Sequence, residues 1–184
     1  MTRATDLRIE RVTETDIGAV LSLIKDLAAY EMMSDDVVAT EDDIRSSLFS
    51  SPPSAEALIA RIGTEAIGFA LFFHNFSSFL GRPGLYLEDL FVKPEWRGRG
   101  YGRQLLVALA RLAVERQCGR MEWSVLDWNE LAMKSYRGVG AAPLNEWTVW
   151  RLTGGALEAL AAEPAARDGA GGRKHEEPDP RTTR

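Results

Sequence analysis

The sequence predicts an α+β fold, in which a β-sheet packs against several helices. Short segments of strand character alternate with segments whose apolar side chains recur at helical spacing. A chain of 184 residues with 45% apolar and 27% charged residues is ordinary for one globular domain with its own core. Near the centre, an apolar strand leads through a glycine-rich turn into a helix, over residues 85–106. We expect a domain of residues 1–162 and a disordered tail of residues 163–184, where Pro, Gly, Ala and charged residues dominate.

The first half of the chain predicts a strand, two helices and a hairpin. Apolar and polar residues alternate over Leu7–Val12, as in a strand with one buried face. Thr40, which three acidic residues follow, is typical of a helix N-cap. The elements predicted there are the strand Leu7–Val12, a helix from Thr13 to Tyr30 or Glu31, a second helix Thr40–Phe49, and the strands Ala57–Ile62 and Ala66–Phe73 joined by the turn Gly63–Glu65.

The second half predicts the central strand, three helices and two further strands. The central strand, Leu85–Val92, ends before Pro94, because proline has no N–H to donate to a β-ladder. Asn75–Gly84, ahead of it, is expected to be an irregular connection. The remaining predicted elements are the helix Tyr101–Gln117, the strand Met121–Leu126, the helix Asn129–Arg137, the strand Trp147–Leu152 and the helix Gly154–Ala162.

Three glycines, Gly98, Gly100 and Gly102, lie between the central strand and the helix that follows it. A glycine backbone can turn tightly and bring its N–H groups close to a ligand, because it has no Cβ. The first turn of the next helix adds unpaired N–H groups and the positive end of the helix dipole, a combination that binds phosphate oxygens. Three arginines add positive charge at the same corner: Arg97, Arg99 and Arg103.

Two well-known phosphate-binding motifs fit this loop poorly. A Walker loop needs Gly-Lys-Ser/Thr where this chain has Gly102-Arg103-Gln104. A dinucleotide fingerprint needs Gly-x-Gly-x-x-Gly and an acid at the end of the next strand. Here the spacing is Gly-x-Gly-x-Gly, and Glu122 lies near a strand start. A further alternative is a glycine-rich turn that only joins a strand to a helix.

Composition narrows the partners and the chemistry. The net charge of -5 at pH 7 argues against nucleic acid as the main partner and is compatible with a cationic substrate. The single cysteine, Cys118, rules out an internal disulfide, and we expect it to be a small buried apolar side chain rather than a nucleophile. No Cys, His and Asp cluster has metal-ligand spacing, so no metal is expected. We expect a cytoplasmic protein without a membrane partner, because the sequence shows neither a leader-type N-terminus nor an apolar run of spanning length.

The chain resembles the GCN5-related N-acetyltransferases, the GNAT superfamily, over Leu7–Leu152. Residues Arg97–Gly102 fit the superfamily's pyrophosphate-loop pattern, Arg/Gln-x-x-Gly-x-Gly/Ala, at every fixed position. Within the superfamily the chain is most similar to the diamine (spermidine/spermine) and thialysine acetyltransferases. The segments that carry this similarity are Leu23–Glu31, Ile67–Ala70, Leu85–Val92, Trp128–Glu130 with Tyr136, and Trp150–Leu152.

The resemblance implies the GNAT fold, with a mixed, mostly antiparallel central sheet whose central strands splay apart to bind acetyl-CoA. It implies an acetyl-CoA-dependent N-acetyltransferase that acts on a primary amine of a small molecule, and by analogy a homodimer. The residues that it implies for cofactor binding are Leu90, Phe91, Val92, Arg97, Gly98, Arg99, Gly100, Tyr101, Gly102, Arg103, Asn129 and Ala132.

Acyl transfer from a thioester to an amine needs a proton acceptor, because an alkylammonium with a pKa of about 10 is not a nucleophile. The resemblance places Glu88 at the position of that acceptor, acting through a water; its alternative is an acid that simply faces solvent. Asp89 is expected on the opposite face, because strand side chains alternate. The resemblance implies that Tyr136 protonates the departing sulfur; its alternative is a tyrosine that only anchors a short helix. Transfer is expected to be direct, in a ternary complex, because Cys118 lies on the wrong element.

The amine site is expected to be acidic, as in the polyamine enzymes. However, Asn75–Gly84 has serines where that family places an acid, and Thr148 stands where another is expected. The resemblance implies a polyamine, a diamine or a thialysine-like amino acid as substrate. Fewer carboxylates weaken the binding of a long polycation, which favours a shorter amine, an amino acid such as thialysine, or a drug-like amine. Two other functions stay open, a non-catalytic acyl-CoA sensor and a protein or peptide N-acetyltransferase. The predicted substrate-binding residues are Tyr30, Glu31, Glu88, Asp89, Glu122, Trp123 and Trp150.

Overall fold

A computed structural model of the chain describes residues 7–164. The described residues fall into two compact units, one within residues 1–141 and one within residues 142–184. The first unit holds a five-stranded sheet and four α-helices, in the α+β arrangement that the sequence predicts. Its elements are β1 (Leu7–Arg11), α1 (Ile17–Tyr30), α2 (Glu41–Phe49), β2 (Glu56–Ile62), β3 (Glu65–Ser77), β4 (Arg82–Val92), α3 (Tyr101–Glu115), β5 (Met121–Trp123) and α4 (Glu130–Arg137), with short 3-10 turns at Glu14–Asp16, Ser34–Asp36 and Pro94–Trp96.

The strands lie in the sheet in the order β1-β2-β3-β4-β5. The first four pair with their neighbours in antiparallel fashion, whereas β5 pairs with β4 in parallel. A parallel pair needs a crossover connection, and α3 supplies it between β4 and β5. The sheet is therefore mixed and mostly antiparallel, as predicted.

Helices cover both faces of this sheet. Successive strand side chains point to opposite sides, so each face presents apolar residues to a helix. On one face, Leu105 and Leu109 of α3 pack into a core cluster with strand residues that include Leu58. On the other face, Leu23 of α1 packs into a smaller cluster that includes Ile59, the next residue along β2. The central strands are consequently buried on both sides.

Two predicted elements differ in length from the observed ones. The prediction of an irregular connection over Asn75–Gly84 is wrong for most of that segment, because β3 and β4 continue to pair as far as Ser77 and Arg82. A four-residue turn, 78–81, closes this hairpin, and Gly81 takes a positive φ of 61° in it. By contrast, β5 is only three residues long and not the six that the pattern Met121–Leu126 predicts.

The second unit carries one helix, α5 (Gly154–Ala161), close to the predicted one. The last strand expected over Trp147–Leu152 is not formed. Strand-like composition is not sufficient for a strand, since its backbone groups need a partner in a ladder, and these residues pair with none of the described strands. Trp147, Val149 and Trp150 are 74%, 81% and 91% exposed. The predicted tail from residue 165 onwards lies outside the described residues.

None of the described helices combines the length and the apolar character that crossing a bilayer requires.

Gly68 of β3 is required by the close approach of β4. A Cβ placed on Gly68 would lie 2.5 Å from the carbonyl oxygen of Phe91 and 3.2 Å from the Cα of Val92, both backbone atoms of a buried strand. We expect Gly68→Ala to push these strands apart and to lower the free energy of unfolding by about 1–3 kcal/mol, measured by urea titration.

The matched control is Gly18→Ala in α1. A Cβ there meets only the flexible end of the Glu41 side chain, at 3.2 Å, and alanine favours a helix. We expect this variant to be at least as stable as the parent. Equal stabilities for the two variants would contradict the packing argument for Gly68.

Candidate active site

A cavity opens where β4 and β5 separate. The two strands pair only from Leu85 opposite Met121 to Leu87 opposite Trp123. Beyond that point β4 continues to pair with β3 as far as Val92, whereas no described strand pairs with its other edge. The cavity has a volume of about 400 Å³ and extends along this open edge of β4. Backbone groups that normally join two strands are thus available to a ligand.

One end of the cavity is formed by the glycine-rich loop and the start of α3. Gly98 and Gly100 have φ angles of 74° and 83°, a left-handed conformation that favours glycine. No atom lies within 4 Å of the Cβ that either residue would carry, so the loop is open on its outer side. No side chain caps the N-terminus of α3, a helix of 15 residues. The positive end of the α3 dipole lies at this corner, an arrangement that suits an anion.

The three arginines of this corner point in different directions. Arg97 donates from Nε to the carbonyl oxygen of Val92 at 2.9 Å. Its guanidinium lies 4.1 Å from the centre of the Tyr30 ring. By contrast, the Arg99 guanidinium stacks on Trp96, 4.8 Å from the centre of its ring. Arg103, on the first turn of α3, donates to the carbonyl oxygen of Gly138 at 3.4 Å. Only Arg97 thus joins the loop to the far end of the cavity.

A β-bulge in β4 turns two neighbouring carboxylates towards the same cavity. Asp89 lies opposite Leu71, but Leu87 lies opposite Phe72, which leaves Glu88 as an extra residue in the ladder. Both Glu88 and Asp89 line the cavity. The expectation that they face opposite sides of the strand is therefore wrong, because a bulge interrupts the alternation on which it rests.

Three carboxylates meet at this second end of the cavity: Glu31, Glu88 and Asp89. Burial raises the pKa of Asp89 to about 6, and the charges of Glu88 and Glu31 act in the same direction. Burial also raises the pKa of Glu31. Among residues 7–164, no Lys or Arg forms a salt bridge with any of the three. An uncompensated negative cluster of this kind favours a cationic ligand.

Tyr136 lies on α4 and faces the same cavity. Asn129 caps this helix, since its Oδ1 accepts from the backbone N–H of Ala132 at 3.2 Å. The Tyr136 ring packs edge-on against Trp123, with 5.1 Å between the ring centres. Burial raises the pKa of Tyr136 above its ordinary value, and the charge of Glu31 adds to the effect. The phenol therefore keeps its proton at neutral pH and is a hydrogen-bond donor to the cavity.

Residues 24–141, which include this whole cavity, match the model of the Acetyltransferase (GNAT) family. The chain belongs to the GNAT acetyltransferase family. It is accordingly an enzyme of the N-acetyltransferase class, and both the resemblance and the fold predicted from the sequence are confirmed.

Curated relatives and a solved structure agree with this assignment. The chain is 36% identical over 166 residues to the thialysine N-epsilon-acetyltransferase of Bos taurus, covering 84% of this chain and 97% of the relative. It is 32% identical over 198 residues to an L-ornithine N5-acetyltransferase of Arabidopsis thaliana, covering 83% and 87% of the two chains. An integron cassette protein from V. cholerae has a similar structure, with a TM-score of 0.73, 28% identity, and coverage of 87% of this chain and 100% of that one.

GNAT acetyltransferases use acetyl-CoA as co-substrate. The open edge of β4 and the uncapped start of α3 suit a ligand with amide groups at one end and a diphosphate at the other. Of the residues that the sequence predicts for cofactor binding, Arg99 is the one absent from the cavity lining; it points instead along Trp96 and Glu95. The predicted residues that do line it are Leu90, Phe91, Val92, Arg97, Gly98, Gly100, Tyr101, Gly102, Arg103, Asn129 and Ala132.

The predicted amine-binding residues divide into two groups. Tyr30, Glu31, Glu88 and Asp89 line the cavity, whereas Glu122, Trp123 and Trp150 are not among its lining residues. Glu122 instead accepts from Asn75 Nδ2 at 2.9 Å and pairs with Arg120 at 2.8 Å, on the part of β5 that is still joined to β4. Trp123 packs against the core cluster that holds Leu105 and Leu109, and against the Tyr136 ring. Trp150 belongs to the second unit and is 91% exposed.

Several lining residues were not predicted from the sequence. Ser124 and Val125 follow the end of β5, where the pattern predicts a longer strand. Leu106 lies one helical turn after Gly102, and this spacing is the signal that could have identified it. Ser135 directly precedes Tyr136, and no motif points to it.

Asp89 is expected to lower stability at neutral pH. Its pKa is about 6 in the folded protein against an ordinary 3.8, so the folded state binds more protons between these values. The contribution of the Asp89 carboxyl to the free energy of unfolding is then largest below pH 3.8. It falls as the pH rises and reaches its lowest value above pH 6. We expect Asp89→Asn to raise the free energy of unfolding at pH 7.5 by about 1–3 kcal/mol, measured by urea titration.

The same comparison at pH 4 should show a much smaller difference between Asp89→Asn and the parent. Glu88→Gln, at an exposed position, is the matched control and should give a smaller gain of the same sign, because it removes one charge that faces Asp89. A loss of stability in Asp89→Asn at pH 7.5 would contradict the burial of an uncompensated carboxylate.

Proposed function

We propose that this GNAT enzyme transfers the acetyl group of acetyl-CoA to a primary amine of a small cationic molecule. The observation that carries the proposal is the polarity of one continuous cavity. Its loop end offers backbone N–H groups and a helix N-terminus, which suit a diphosphate. Its other end offers three carboxylates without a cationic partner among the described residues, which suit an ammonium group.

Acetyl-CoA, when bound, supplies an activated acetyl thioester. The residues that would hold it are the backbone of Leu90, Phe91 and Val92 and the loop Gly98–Arg103. The positive φ angles of Gly98 and Gly100, together with the space outside them, support this placement. The unpaired edge of β4 supports a hydrogen-bonding role for the strand.

The amine must lose a proton before it can react, since an alkylammonium has a pKa of about 10. We assign the acceptor role to Glu88, which the bulge places at the cavity and which is exposed enough to reach the amine through a water. Asp89 and Glu31 then hold and orient the cation, because both are partly buried and face the same volume. The cluster thus divides into one proton acceptor and two carboxylates that hold the cation.

Tyr136 is the proton donor in this proposal. It lines the cavity, its pKa is raised by burial, and its Oη therefore carries a proton that can pass to the departing sulfur. Cys118 is not among the residues that line the cavity, and Tyr136 and the carboxylates are the groups positioned for proton transfer. This arrangement supports direct attack in a ternary complex rather than an acyl-enzyme.

The relatives narrow the substrate class. The bovine relative is named for thialysine and the plant relative for ornithine, which are both amino acids with a second amine. We propose that this chain accepts diamines and basic amino acids of similar length. Ser77, one of the serines in the segment where the resembled family has an acid, is buried; its Oγ accepts from Arg120 at 3.2 Å, and it does not line the cavity. It therefore has no part in this choice.

The proposal is tested by incubating the protein with acetyl-CoA and a panel of amines. The panel contains putrescine, spermidine, thialysine, ornithine and lysine, with a neutral amide as negative control and a peptide with a free N-terminal amine as a protein-type substrate. We expect release of free thiol and an acetylated product for the short diamines and basic amino acids, measured by thiol titration and mass spectrometry. Cofactor binding without thiol release for any amine would favour a sensor, and acetylation of the peptide alone would favour a protein acetyltransferase.

Tyr136→Phe removes the proton donor and leaves the ring. We expect turnover at saturating substrates to fall by about 10²-fold or more, because general acid catalysis of this kind contributes that much. The ring contact with Trp123 remains, so the thermal midpoint should change little.

Tyr86→Phe is the matched control for Tyr136→Phe. The Tyr86 hydroxyl forms a hydrogen bond with Ser124 Oγ at 2.9 Å, and Tyr86 is not among the cavity-lining residues. This variant should keep most of its turnover. Full activity in Tyr136→Phe would remove the proton-donor role.

A further inference from the structure

Arg97 connects three parts of the cavity. It follows the 3-10 turn Pro94–Trp96 and opens the glycine-rich loop. Its Nε donates to the carbonyl oxygen of Val92 at 2.9 Å, at the end of β4. Its guanidinium lies 4.1 Å from the ring centre of Tyr30 and 5.4 Å from that of Phe91. A planar cation can make these contacts together, since its edge donates hydrogen bonds while its face stacks on a ring.

The contacts of Arg97 differ from those of Arg99. Arg99 stacks on Trp96 at 4.8 Å and donates to the carbonyl oxygen of Glu95 at 3.3 Å, two residues of the preceding turn. Its contacts are thus local to the loop. Arg97 instead reaches the C-terminus of α1, which is distant in sequence and lies at the amine end of the cavity.

Tyr30 lies at the C-terminal end of α1, where the chain leaves the helix. It is the last residue of α1, and two residues later Met32 takes a positive φ of 62°. Trp128 contacts its ring, with 5.8 Å between the ring centres. Glu31, the next residue, is partly buried, and its charge acts on both Asp89 and Tyr136. A change in the position of Tyr30 would consequently move one of the three carboxylates of the cavity.

We propose that Arg97 is a positioning residue that couples occupation of the glycine-rich loop to the geometry of the amine end through Tyr30 and Glu31. Ligand binding at the loop fixes the residue that opens it, and the guanidinium then holds the end of α1 in place. Cofactor binding therefore strengthens amine binding, and the amine strengthens cofactor binding by the same factor. The amine half of this inference depends on the proposed function, whereas the contact chain from the loop to Tyr30 does not.

The first test measures CoA affinity by calorimetry without any amine. The variants are Arg97→Gln, Tyr30→Leu and the double variant, compared with the parent. We expect each single variant to bind CoA about three- to tenfold more weakly, the range expected for loss of a cation–π contact. We expect the double variant to be no weaker than the weaker single variant, because the two side chains act as one unit.

Two outcomes of this cycle would overturn the proposal: unchanged CoA affinity in Tyr30→Leu, or effects that simply add in the double variant. Arg97→Lys keeps the charge but loses the planar group, and we expect it to behave like Arg97→Gln. It is the substitute if the glutamine variant does not fold, as judged by circular dichroism. Recovery of parental affinity in Arg97→Lys would show that charge alone matters and would also overturn the proposal.

The second test measures KM for the best amine of the panel at saturating acetyl-CoA. We expect Arg97→Gln to raise the amine KM by about three- to tenfold, with a smaller change in kcat. Arg45→Gln is the control, because Arg45 lies on α2, pairs with Asp42 and is not among the cavity-lining residues, and it should leave the amine KM unchanged. An amine KM that Arg97→Gln leaves unchanged would contradict the coupling. If the parent acetylates no amine, the proposed function fails, and the CoA cycle alone decides the coupling.

Discussion

The cavity exists because β4 loses one of its two neighbouring strands part-way along its length. Pairing with β5 stops at Leu87 and Trp123, while pairing with β3 continues to Val92. The backbone groups along the open edge have no strand partner and face the cavity, so water or a ligand must satisfy them. A ligand that bonds to this edge takes the place of a neighbouring strand. The strand therefore remains in a well-packed sheet on one side and is a binding surface on the other, and Gly68 maintains the close packing that makes this possible.

Opposite charges at the two ends of the cavity follow from different physical sources. At the loop end, attraction for anions comes largely from backbone N–H groups and the α3 dipole, since the side chains of Arg99 and Arg103 contact protein carbonyl oxygens. At the other end, attraction for cations comes from carboxylates, two of which the bulge at Glu88 places side by side, and the pKa of Asp89 is raised there. Holding three like charges together lowers stability, and a cationic ligand offsets that cost. Relief of the repulsion among the carboxylates would thus contribute to the free energy of binding a cation.

The sequence predicts the loop end of the cavity better than the amine end. The glycine spacing of Gly98–Gly102 and the helix that follows are local in the chain, so pattern and conformational preference are sufficient to identify them. The bulge at Glu88 depends on how β4 pairs with β3, and the early end of β5 depends on how it leaves β4. Neither leaves a periodic signal in its own segment. Glu122 and Trp123 lie in the part of β5 that is still paired with β4, before the cavity opens. The strand expected at Trp147–Leu152 has no pairing partner among the described strands, and composition cannot supply one.

Arg97 shows why a motif position does not by itself define a role. In the sequence it is one of three arginines beside a phosphate-binding loop, and charge alone makes the three equivalent. In the structure its hydrogen bond to Val92 and its stacking on Tyr30 place the guanidinium between the loop and α1. The guanidinium keeps its charge, while its Nε is bonded to Val92 and one face lies on Tyr30. In the proposed coupling its contribution is geometric, since it fixes the distance between the loop assigned to the cofactor and the carboxylates assigned to the amine. Two sites on elements far apart in sequence thereby share one rigid contact.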